Sequence, residues 1–406
     1  MRTRLIGYLL LAVALMLLLS VLYLLSPKGK TPLVFSPTQV LGATWRLYKD
    51  YYVERDSGRV MDLSRDSVTT SEGESYAMLR AVWQSDKASF DRSWQWTKDN
   101  LLHDNDWLSS WLFGQRKDGS YGVLTDQGGE HAASDADQDI ALSLIFAYSR
   151  WQDPNYIGEA RRVLDDIWDK EVLVINGKPY LLANDLEKSS GSPTAVVNPS
   201  YLAPYAYRIF ALVDSAHPWG QLVDTSYDVI GRSMDQTLGK NISAVLPPDW
   251  VRINKKTGEI VPPGGDLTTN FGYDALRTPW RLALDYQWYG DPRAKDLLSK
   301  MSFLSEEWKD NGAIKSTYDH DGAVVADYES PAMYGGAIGA LMVTDPAAAK
   351  NVYDTKLGFL YNSDTNDWKQ RLSYYDDNWA WFGIGFYNHL LPNLSANLPA
   401  SAYLTP

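Results

Sequence analysis

The stretch that decides the fold is Ala133-Ser134-Asp135-Ala136-Asp137-Gln138-Asp139-Ile140-Ala141, in which three carboxylates occupy alternate positions. It leads into apolar residues at the spacing of one helix face, namely Ile140, Leu144, Ala147, Tyr148 and Trp151. Ser134 or Asp135 is a suitable N-cap residue for that helix. The sequence therefore predicts acids clustered at a helix N-terminus, where capping and the helix dipole account for only one or two of them.

A second acidic segment, Thr70-Ser71-Glu72-Gly73-Glu74, precedes another helical pattern. Ser71 and Glu74 have the spacing of a capping box, in which each side chain bonds to the other residue's backbone N–H. That interpretation gives Glu74 a structural role and leaves Glu72 free.

A third acid, Asp274, lies at or just before a predicted helix whose first turn suits Pro279. Arg277 is close enough in sequence to pair with Asp274, although a structural ion pair at a helix end is an alternative role for that arginine. Three acids at three helix starts predict that Glu72, Asp135 and Asp274 converge on one rim of a helical barrel.

These segments together resemble glycoside hydrolase family 8. The run from Ala133 to Trp151 is similar to the family signature, and four further segments fit family motifs in the family's order: Ser71-Glu72-Gly73, Asn198-Pro199-Ser200-Tyr201, Tyr273-Asp274-Ala275-Leu276-Arg277-Thr278-Pro279-Trp280-Arg281 and Tyr374-Tyr375. The resemblance spans roughly residues 40 to 392. It implies an all-α fold, an (α/α)6 barrel, and an inverting hydrolase acting on β-1,4-linked polysaccharide.

By position, the resemblance implies that Glu72 is the general acid and Asp274 the catalytic base of the cellulase-like branch. Asp135 matches the carboxylate that binds and distorts the sugar beside the scissile bond. Inverting hydrolysis needs one protonated carboxyl and one carboxylate about 6.5 to 9.5 Å apart, so that a water fits at the far sugar face. We expect a nearby Asp135 to raise the pKa of Glu72.

The aromatic content is high, with 16 Trp and 26 Tyr, and aromatic faces can stack on sugar rings. Most Trp residues at helical spacing, such as Trp94, Trp151 and Trp288, are expected to pack in the core. The predicted substrate-binding residues are Trp111, which fits a family stacking position best, then Trp250 in Pro248-Asp249-Trp250, and Trp107, Tyr201, Arg277 and Tyr375.

One segment departs from the family pattern. Cellulase-like relatives often carry a Trp shortly before the Asn-Pro-Ser-Tyr motif, whereas no aromatic residue lies between Leu181 and Asn198. A stacking platform is therefore expected to be missing. That leaves a substituted or different β-linked exopolysaccharide as an alternative to cellulose.

Composition excludes several classes of partner. A formal net charge of −12 disfavours nucleic acid, which requires a basic surface, and also disfavours polyanionic glycans. With no Cys and five scattered His, neither a soft metal site nor a disulfide framework is expected. We expect no metal and no cofactor.

Residues 31–406 are long for one compact domain but fit a single barrel of about twelve helices. No linker or low-complexity tract divides them. Short β-hairpin insertions between helices are predicted at four turn signals: Asp118-Gly119, Asn176-Gly177, Thr257-Gly258 and Asp321-Gly322.

The N-terminus predicts a membrane anchor. Arg2 and Arg4 precede an uncharged run, Leu5–Leu25, that is long enough to cross a hydrocarbon core of about 30 Å. No convincing signal-peptide cleavage site follows. Residues 1–30 are therefore expected to form a cytoplasmic stub and transmembrane signal anchor, with the catalytic domain outside the cytoplasm; a secreted protein with a cleaved signal is the alternative.

The sequence thus predicts an endoglucanase-like hydrolase that cleaves an extracellular β-linked polysaccharide, such as one made by the same cell, with association with a polysaccharide synthase as a further expectation. A catalytically silent glycan-binding subunit of a synthesis or export complex is an alternative, as is a xylanase or chitosanase of the same family. A sugar lyase or epimerase is a weaker alternative, because it calls for a His or Tyr base among basic residues.

Overall fold

A computed structural model describes residues 36–403 of the chain. This range is mostly helical, as predicted. Its α-helices are α1 (Pro37–Tyr52), α2 (Ser71–Trp83), α3 (Lys87–Asn100), α4 (Ser134–Trp151), α5 (Pro154–Asp166), α6 (Asp185–Ser189), α7 (Pro204–Val213), α8 (Trp219–Asp235), α9 (Arg277–Tyr289), α10 (Pro292–Lys300), α11 (Ser302–Asn311), α12 (Pro331–Thr344), α13 (Pro346–Val352) and α14 (Tyr374–Tyr387).

Short antiparallel strands lie between the helices. They are β1 (Thr69–Thr70), β2 (Leu112–Gln115), β3 (Tyr121–Val123), β4 (Val172–Ile175), β5 (Lys178–Leu181), β6 (Thr194–Val197), β7 (Val251–Asn254), β8 (Ile260–Val261), β9 (Thr317–Tyr318), β10 (Val324–Ala326), β11 (Tyr361–Asn362) and β12 (Asp367–Trp368). The four predicted hairpins are present as the pairs β2–β3, β4–β5, β7–β8 and β9–β10.

The helices form an inner and an outer set. The inner helices α2, α4, α7, α9, α12 and α14 pack side by side in that order, and aromatic contacts of Tyr76 with Trp379 and Phe382 join the last to the first. Outer helices α3, α5, α8, α10 and α13 each pack on the inner helix that precedes them in sequence, and α1 packs on α14. This alternation is consistent with the (α/α)6 barrel that the resemblance implies.

Burial along α4 corrects the expected one-face pattern. The helix is buried at every position from Ser134 to Ser149, not only along its apolar stripe. An inner helix is covered by an outer helix on one side and by the barrel interior on the other, so a helix that reads as amphipathic is enclosed all round.

The predicted capping box at the start of α2 is wrong. Thr70 is the N-cap residue, and its Oγ1 accepts a hydrogen bond from the Gly73 N–H at 3.1 Å. Ser71 is instead the first helical residue. The Glu74 carboxylate accepts a hydrogen bond from Ser93 Oγ at 2.5 Å, which ties α2 to α3. Glu74 is still structural, but through packing between helices.

The predicted N-cap of α4 is also displaced. Ala133 occupies that position and supplies no side-chain cap. Ser134 Oγ donates a hydrogen bond to the Leu182 carbonyl at 2.7 Å, and Asp135 has a different role described below. The side chains of Ser134 and Asp135 therefore bind residues distant in sequence and do not cap their own helix.

Inner helix α12 lies backbone to backbone against α14 on one side and against the start of α9 on the other. A Cβ on Gly335 would lie 2.0 Å from the carbonyl oxygen of Trp379, and a Cβ on Gly336 would lie 2.1 Å from the carbonyl oxygen of Leu276. Only glycine fits at these two positions, because the clashing atoms are backbone and cannot turn aside.

Among residues 36–403, no helix combines the length and the apolar character needed to cross a membrane. The predicted span Leu5–Leu25 and the predicted boundary after residue 30 both lie outside these described residues.

Candidate active site

One arginine lies at the centre of the site. Arg277 begins α9, and its side chain is 1% exposed. Its Nη1 donates hydrogen bonds to Glu72 Oε2 and to Asp135 Oδ2, both at 2.7 Å, and its Nη2 donates to Asp274 Oδ1 at 2.5 Å. The structure thus brings together the three acids that the sequence singled out. Arg277, which was expected to pair with Asp274 and to bind substrate, pairs with Glu72 and Asp135 as well.

The three carboxylates differ in access to solvent. The side chains of Glu72 and Asp274 are 22% and 31% exposed, whereas that of Asp135 is 4% exposed. Glu72 and Asp274 can therefore both meet a ligand at the surface, while Asp135 is almost as buried as Arg277.

Local chain geometry fixes the positions of these acids. Glu72 and Asp135 are each the second residue of an inner helix, α2 and α4, and Asp274 lies in the turn that leads into α9. Arg277 Nε donates to Ser200 Oγ and to the Asp274 carbonyl, both at 3.1 Å. The Asn-Pro-Ser-Tyr motif thus contributes an acceptor that helps to hold the guanidinium in place.

The electrostatics of the cluster raise the pKa values of two of its carboxyls. Burial raises the pKa of Glu72 to about 7; Arg277 opposes this shift, and the charges of Asp135 and Asp274 add to it. Burial also raises the pKa of Asp135, again against the effect of Arg277. Three carboxylates share a single guanidinium, so Glu72 can hold a proton near neutral pH, as a general acid must.

A second ion pair lies beside the first. Arg281, one turn after Arg277, donates to Asp139 through Nη1 at 3.1 Å and Nη2 at 2.8 Å, and both side chains are buried. Asp137 instead accepts a hydrogen bond from the Ser109 N–H at 2.9 Å. The three alternating carboxylates therefore have three different partners, and none of them caps the helix.

Aromatic side chains border the cluster. The Arg277 guanidinium lies 5.0 Å from the ring centre of Tyr201, which meets Trp250 edge to face at 5.8 Å. The Trp111 carbonyl accepts a hydrogen bond from the Ser71 N–H at 3.1 Å, directly before Glu72.

Tyr375 also belongs to this border. Burial raises the pKa of its hydroxyl, an effect that Arg277 opposes and the charge of Glu72 reinforces. Its hydroxyl donates to the Tyr273 carbonyl at 2.5 Å, next to Asp274. Four of the five predicted aromatic binding residues therefore lie at the acidic cluster.

Trp107 is placed elsewhere. Its ring lies under the guanidinium of Arg162, 4.8 Å from the ring centre, and its backbone N–H donates to Asp166 Oδ2 at 2.8 Å. Both partners belong to outer helix α5. The substrate-binding role of Trp107 stays a prediction.

Sequence reasoning missed several neighbours of the site. Tyr76 follows Glu72 by one helical turn, a spacing that places both side chains on one face and could have identified it. Tyr273 is adjacent to Asp274, and its hydroxyl lies 3.3 Å from that of Tyr328. Nothing in the sequence signals Tyr328, because a distant loop carries it to this position.

One group of side chains in residues 36–403 has its ligand atoms close enough to hold a metal ion: Asp165, Asp214 and His217. Asp214 already accepts hydrogen bonds from Trp219 Nε1 at 2.7 Å and from the Ala216 N–H at 2.9 Å. His217 Nδ1 lies 2.7 Å from the same carboxylate. These contacts describe a structural His–Asp pair at a helix start.

Comparison with known families agrees with the geometry. Residues 30–388 match the sequence profile described as glycosyl hydrolases family 8. The chain belongs to this family. The match over most of the chain confirms the predicted membership, and the matched range contains all three acids and Arg277.

Two curated relatives of this family 8 chain are endoglucanases by name. Endoglucanase 2 of Ruminiclostridium josui is 31% identical over 330 residues, covering 79% of this chain and 66% of that protein. Endoglucanase A of Acetivibrio thermocellus is 30% identical over 341 residues, covering 80% and 66%. The chain thus spans slightly less than two thirds of the length of these relatives.

Solved structures share the fold. The crystal structure of an endo-1,4-D-glucanase from Vibrio fischeri ES114 superposes with a TM-score of 0.71 at 25% identity, covering 85% of this chain and 94% of that one.

The short helix α6 and strand β6 of the family 8 chain fill the segment between Leu181 and Asn198, which contains no aromatic residue.

Proposed function

We propose that this family 8 chain is an inverting endo-β-1,4-glycoside hydrolase of the endoglucanase type. The observation that carries the proposal is that Glu72 and Asp274, both partly exposed, bind different terminal nitrogens of the buried Arg277. One buried cation thus holds two separate, partly exposed carboxyl groups at the same site. An inverting hydrolase needs such a pair, one group to donate a proton and one to activate water.

In the proposed reaction, Glu72 donates its proton to the glycosidic oxygen as the bond from C1 to the leaving sugar breaks. Asp274 accepts a proton from a water whose oxygen forms the new bond to C1 from the opposite face. Asp135, held beside Glu72 on the same Arg277 nitrogen, binds and distorts the sugar at that carbon. Arg277 fixes all three carboxylates, and exchange of protons with solvent restores Glu72 and Asp274.

The substrate class rests on the relatives and the aromatic border. Both curated relatives are named endoglucanases, and Trp111, Tyr201, Trp250 and Tyr375 offer stacking or polar edges to a sugar chain. Product analysis on β-1,4-glucan, mixed-linkage glucan, xylan, chitosan and native exopolysaccharide tests the assignment. Binding without cleavage of any of the five would favour the silent glycan-binding subunit instead.

The anomeric configuration of the first product is expected to be inverted. Direct attack by water, without a covalent intermediate, converts a β-linkage into an α-anomer. Proton NMR on the early product, before mutarotation, measures this directly. A β-anomer at the earliest time points would contradict the assignment of Asp274 as a base that activates water.

We further propose that residues 1–30 hold the enzyme in the cell membrane with residues 31–406 outside the cytoplasm. The uncharged run Leu5–Leu25 after Arg2 and Arg4 supports an anchor, since about 20 apolar residues span a bilayer core. An anchored hydrolase would have a high effective concentration near polysaccharide exported by a synthase of the same cell.

The full-length protein is expected to stay in the membrane fraction through a carbonate wash. Deletion of residues 1–30 should release a soluble protein with the same turnover, because the catalytic cluster lies entirely in the later residues. Mass spectrometry of the mature N-terminus is the decisive measurement. A mature chain that begins near Pro27 or later would replace the anchor with a cleaved signal and a secreted enzyme.

A further inference from the structure

Asp249 is a buried carboxyl that the proposed reaction does not use. It is 8% exposed and lies just before β7. Its Oδ1 accepts hydrogen bonds from the Gly272 N–H at 3.2 Å and from the Ala275 N–H at 2.8 Å. These two amides lie on either side of Asp274 in the chain, so one carboxylate oxygen holds the backbone before and after the proposed base.

Backbone pairing and close packing keep Asp249 in register with this turn. The Asp249 N–H donates to the Asn270 carbonyl at 2.6 Å, and the Trp250 N–H donates to the Thr268 carbonyl at 3.1 Å. A Cβ on Gly272 would lie 2.9 Å from Asp249 Oδ2. Glycine at position 272 therefore allows the carboxyl to lie directly against the turn.

The two ends of the turn are held by other partners. Phe271 exchanges backbone hydrogen bonds with Tyr318 at 2.9 and 3.0 Å, and Arg277 is fixed by its carboxylates. Asp249 acts between these anchors, where the chain must bend to direct the Asp274 side chain at Arg277.

The role of Asp249 does not depend on its charge. Burial raises its pKa to about 7 and the charge of Asp274 adds to the shift, while the hydrogen bonds from Ala275 and Gly272 and the charge of Arg277 oppose it. Protonated or ionised, the carboxyl keeps Oδ1 as an acceptor for both amides. An asparagine side chain has nearly the same shape, and its Oδ1 can accept the same two hydrogen bonds, so Asp249→Asn is a conservative replacement.

We propose that Asp249 is a positioning residue for the general base, because its Oδ1 fixes the turn that holds Asp274 against Arg277. The catalytic part of this inference rests on the proposed function, in which Asp274 activates water. The structural part, that Asp249 holds the turn, does not depend on it.

Three variants test the catalytic part. Asp249→Ala is expected to lower kcat by about 10- to 100-fold with KM changed less than about 3-fold, because a small displacement of the base slows the reaction more than binding. Asp249→Asn should keep kcat within about 3-fold of wild type. The matched control is Asp214→Ala, which removes an equally buried, turn-binding carboxyl elsewhere and should leave kcat unchanged.

Two kinetic outcomes would overturn the proposal. One is an Asp249→Ala enzyme with kcat within about 3-fold of wild type, and the other is an Asp249→Asn enzyme as slow as Asp249→Ala. If Asp249→Ala does not fold, Gly272→Ala replaces it, since its methyl group would push Asp249 Oδ2 away from the turn. That variant should show the same loss of kcat at constant KM.

Hydrogen exchange of the peptide covering residues 270–276 provides a readout without substrate. Exchange should be faster in Asp249→Ala than in wild type and unchanged in Asp249→Asn. Unchanged exchange in Asp249→Ala would overturn the proposal whatever the kinetics. If the wild type cleaved no glycan, the proposed function would fail, while this measurement would still decide whether Asp249 holds the turn.

Discussion

Glu72→Gln and Asp274→Asn are each expected to reduce kcat by about 10²- to 10⁴-fold or more, because neither amide can transfer the proton that the reaction needs. Both folds should persist, since the side chains are partly exposed and an amide oxygen can still accept the hydrogen bond from Arg277. Asp135→Asn should also impair turnover, mainly through weaker distortion of the sugar. The measurement is kcat of each purified variant, alongside its thermal unfolding and oligosaccharide binding.

The control for this prediction is Glu159→Gln. Its side chain is 18% exposed and pairs with Lys98 at 3.0 Å, so its burial and pairing resemble those of Glu72. Turnover of this variant should match wild type. If folded Glu72→Gln or Asp274→Asn kept nearly wild-type turnover, the assignment of acid and base would be wrong.

The assignment of Glu72 as the acid also predicts how kcat/KM of the wild-type enzyme changes at high pH. Glu72 must carry its proton to act as an acid, and its pKa is raised to about 7. The rate kcat/KM should therefore fall as pH rises through about 7, a limb that the cluster as a whole determines because its groups interact.

Arg277→Met is the second variant with a large expected effect. It leaves Glu72, Asp135 and Asp274 without their shared cation, and breaking a buried ion pair on one side costs about 3–5 kcal/mol of unfolding free energy. Activity should fall at least as far as in Glu72→Gln, because both the acid and the base lose their orientation. Denaturant unfolding and kcat are the measurements.

The stability loss should depend on pH in a defined direction. Burial already raises the pKa values of Glu72 and Asp135 with Arg277 present, and removing the cation raises them further. When the pKa of a carboxyl is higher in the folded than in the unfolded protein, the free energy of unfolding falls as pH increases, because the unfolded chain ionises more readily. Arg277→Met should therefore be more destabilised at pH 8 than at pH 5, and the reverse order would contradict this account of the cluster.

Two comparisons separate charge from geometry. Arg277→Lys retains the charge but cannot bind three carboxylates as a planar fork, so it should recover part of the stability and little of the activity. Arg293→Met removes a more exposed arginine paired with Asp224 and Asp291, and should cost no more than about 1 kcal/mol.

Local sequence signals anticipated the parts of the fold that depend on local chemistry. The turn at Asn176-Gly177 lies between two paired strands, since such residues favour the backbone of a tight hairpin. Pro279 lies in the first turn of α9, where its missing N–H has no cost. Glu72, Asp135 and Asp274 lie at helix starts as predicted, although the capping residues of α2 and α4 are not the predicted ones.

Long-range contacts account for what was missed. The capping interpretation of Ser71 and Glu74 did not hold because Ser93, on the next helix, offered Glu74 a buried partner. The junction of three acids on one guanidinium depends on how inner helices are arranged around the barrel, and no local pattern encodes that arrangement.

The two buried ion pairs Asp135–Arg277 and Asp139–Arg281 affect how helices α4 and α9 align in the barrel. Acids four residues apart on α4 face arginines four residues apart on α9, across the position of α7 in the ring. If α9 slid by one turn, about 5.4 Å, one buried acid and one buried arginine would lose their partners. The two ion pairs therefore fix the axial position of α9 relative to α4. The same axial position brings Arg277 to Asp135 in the active site.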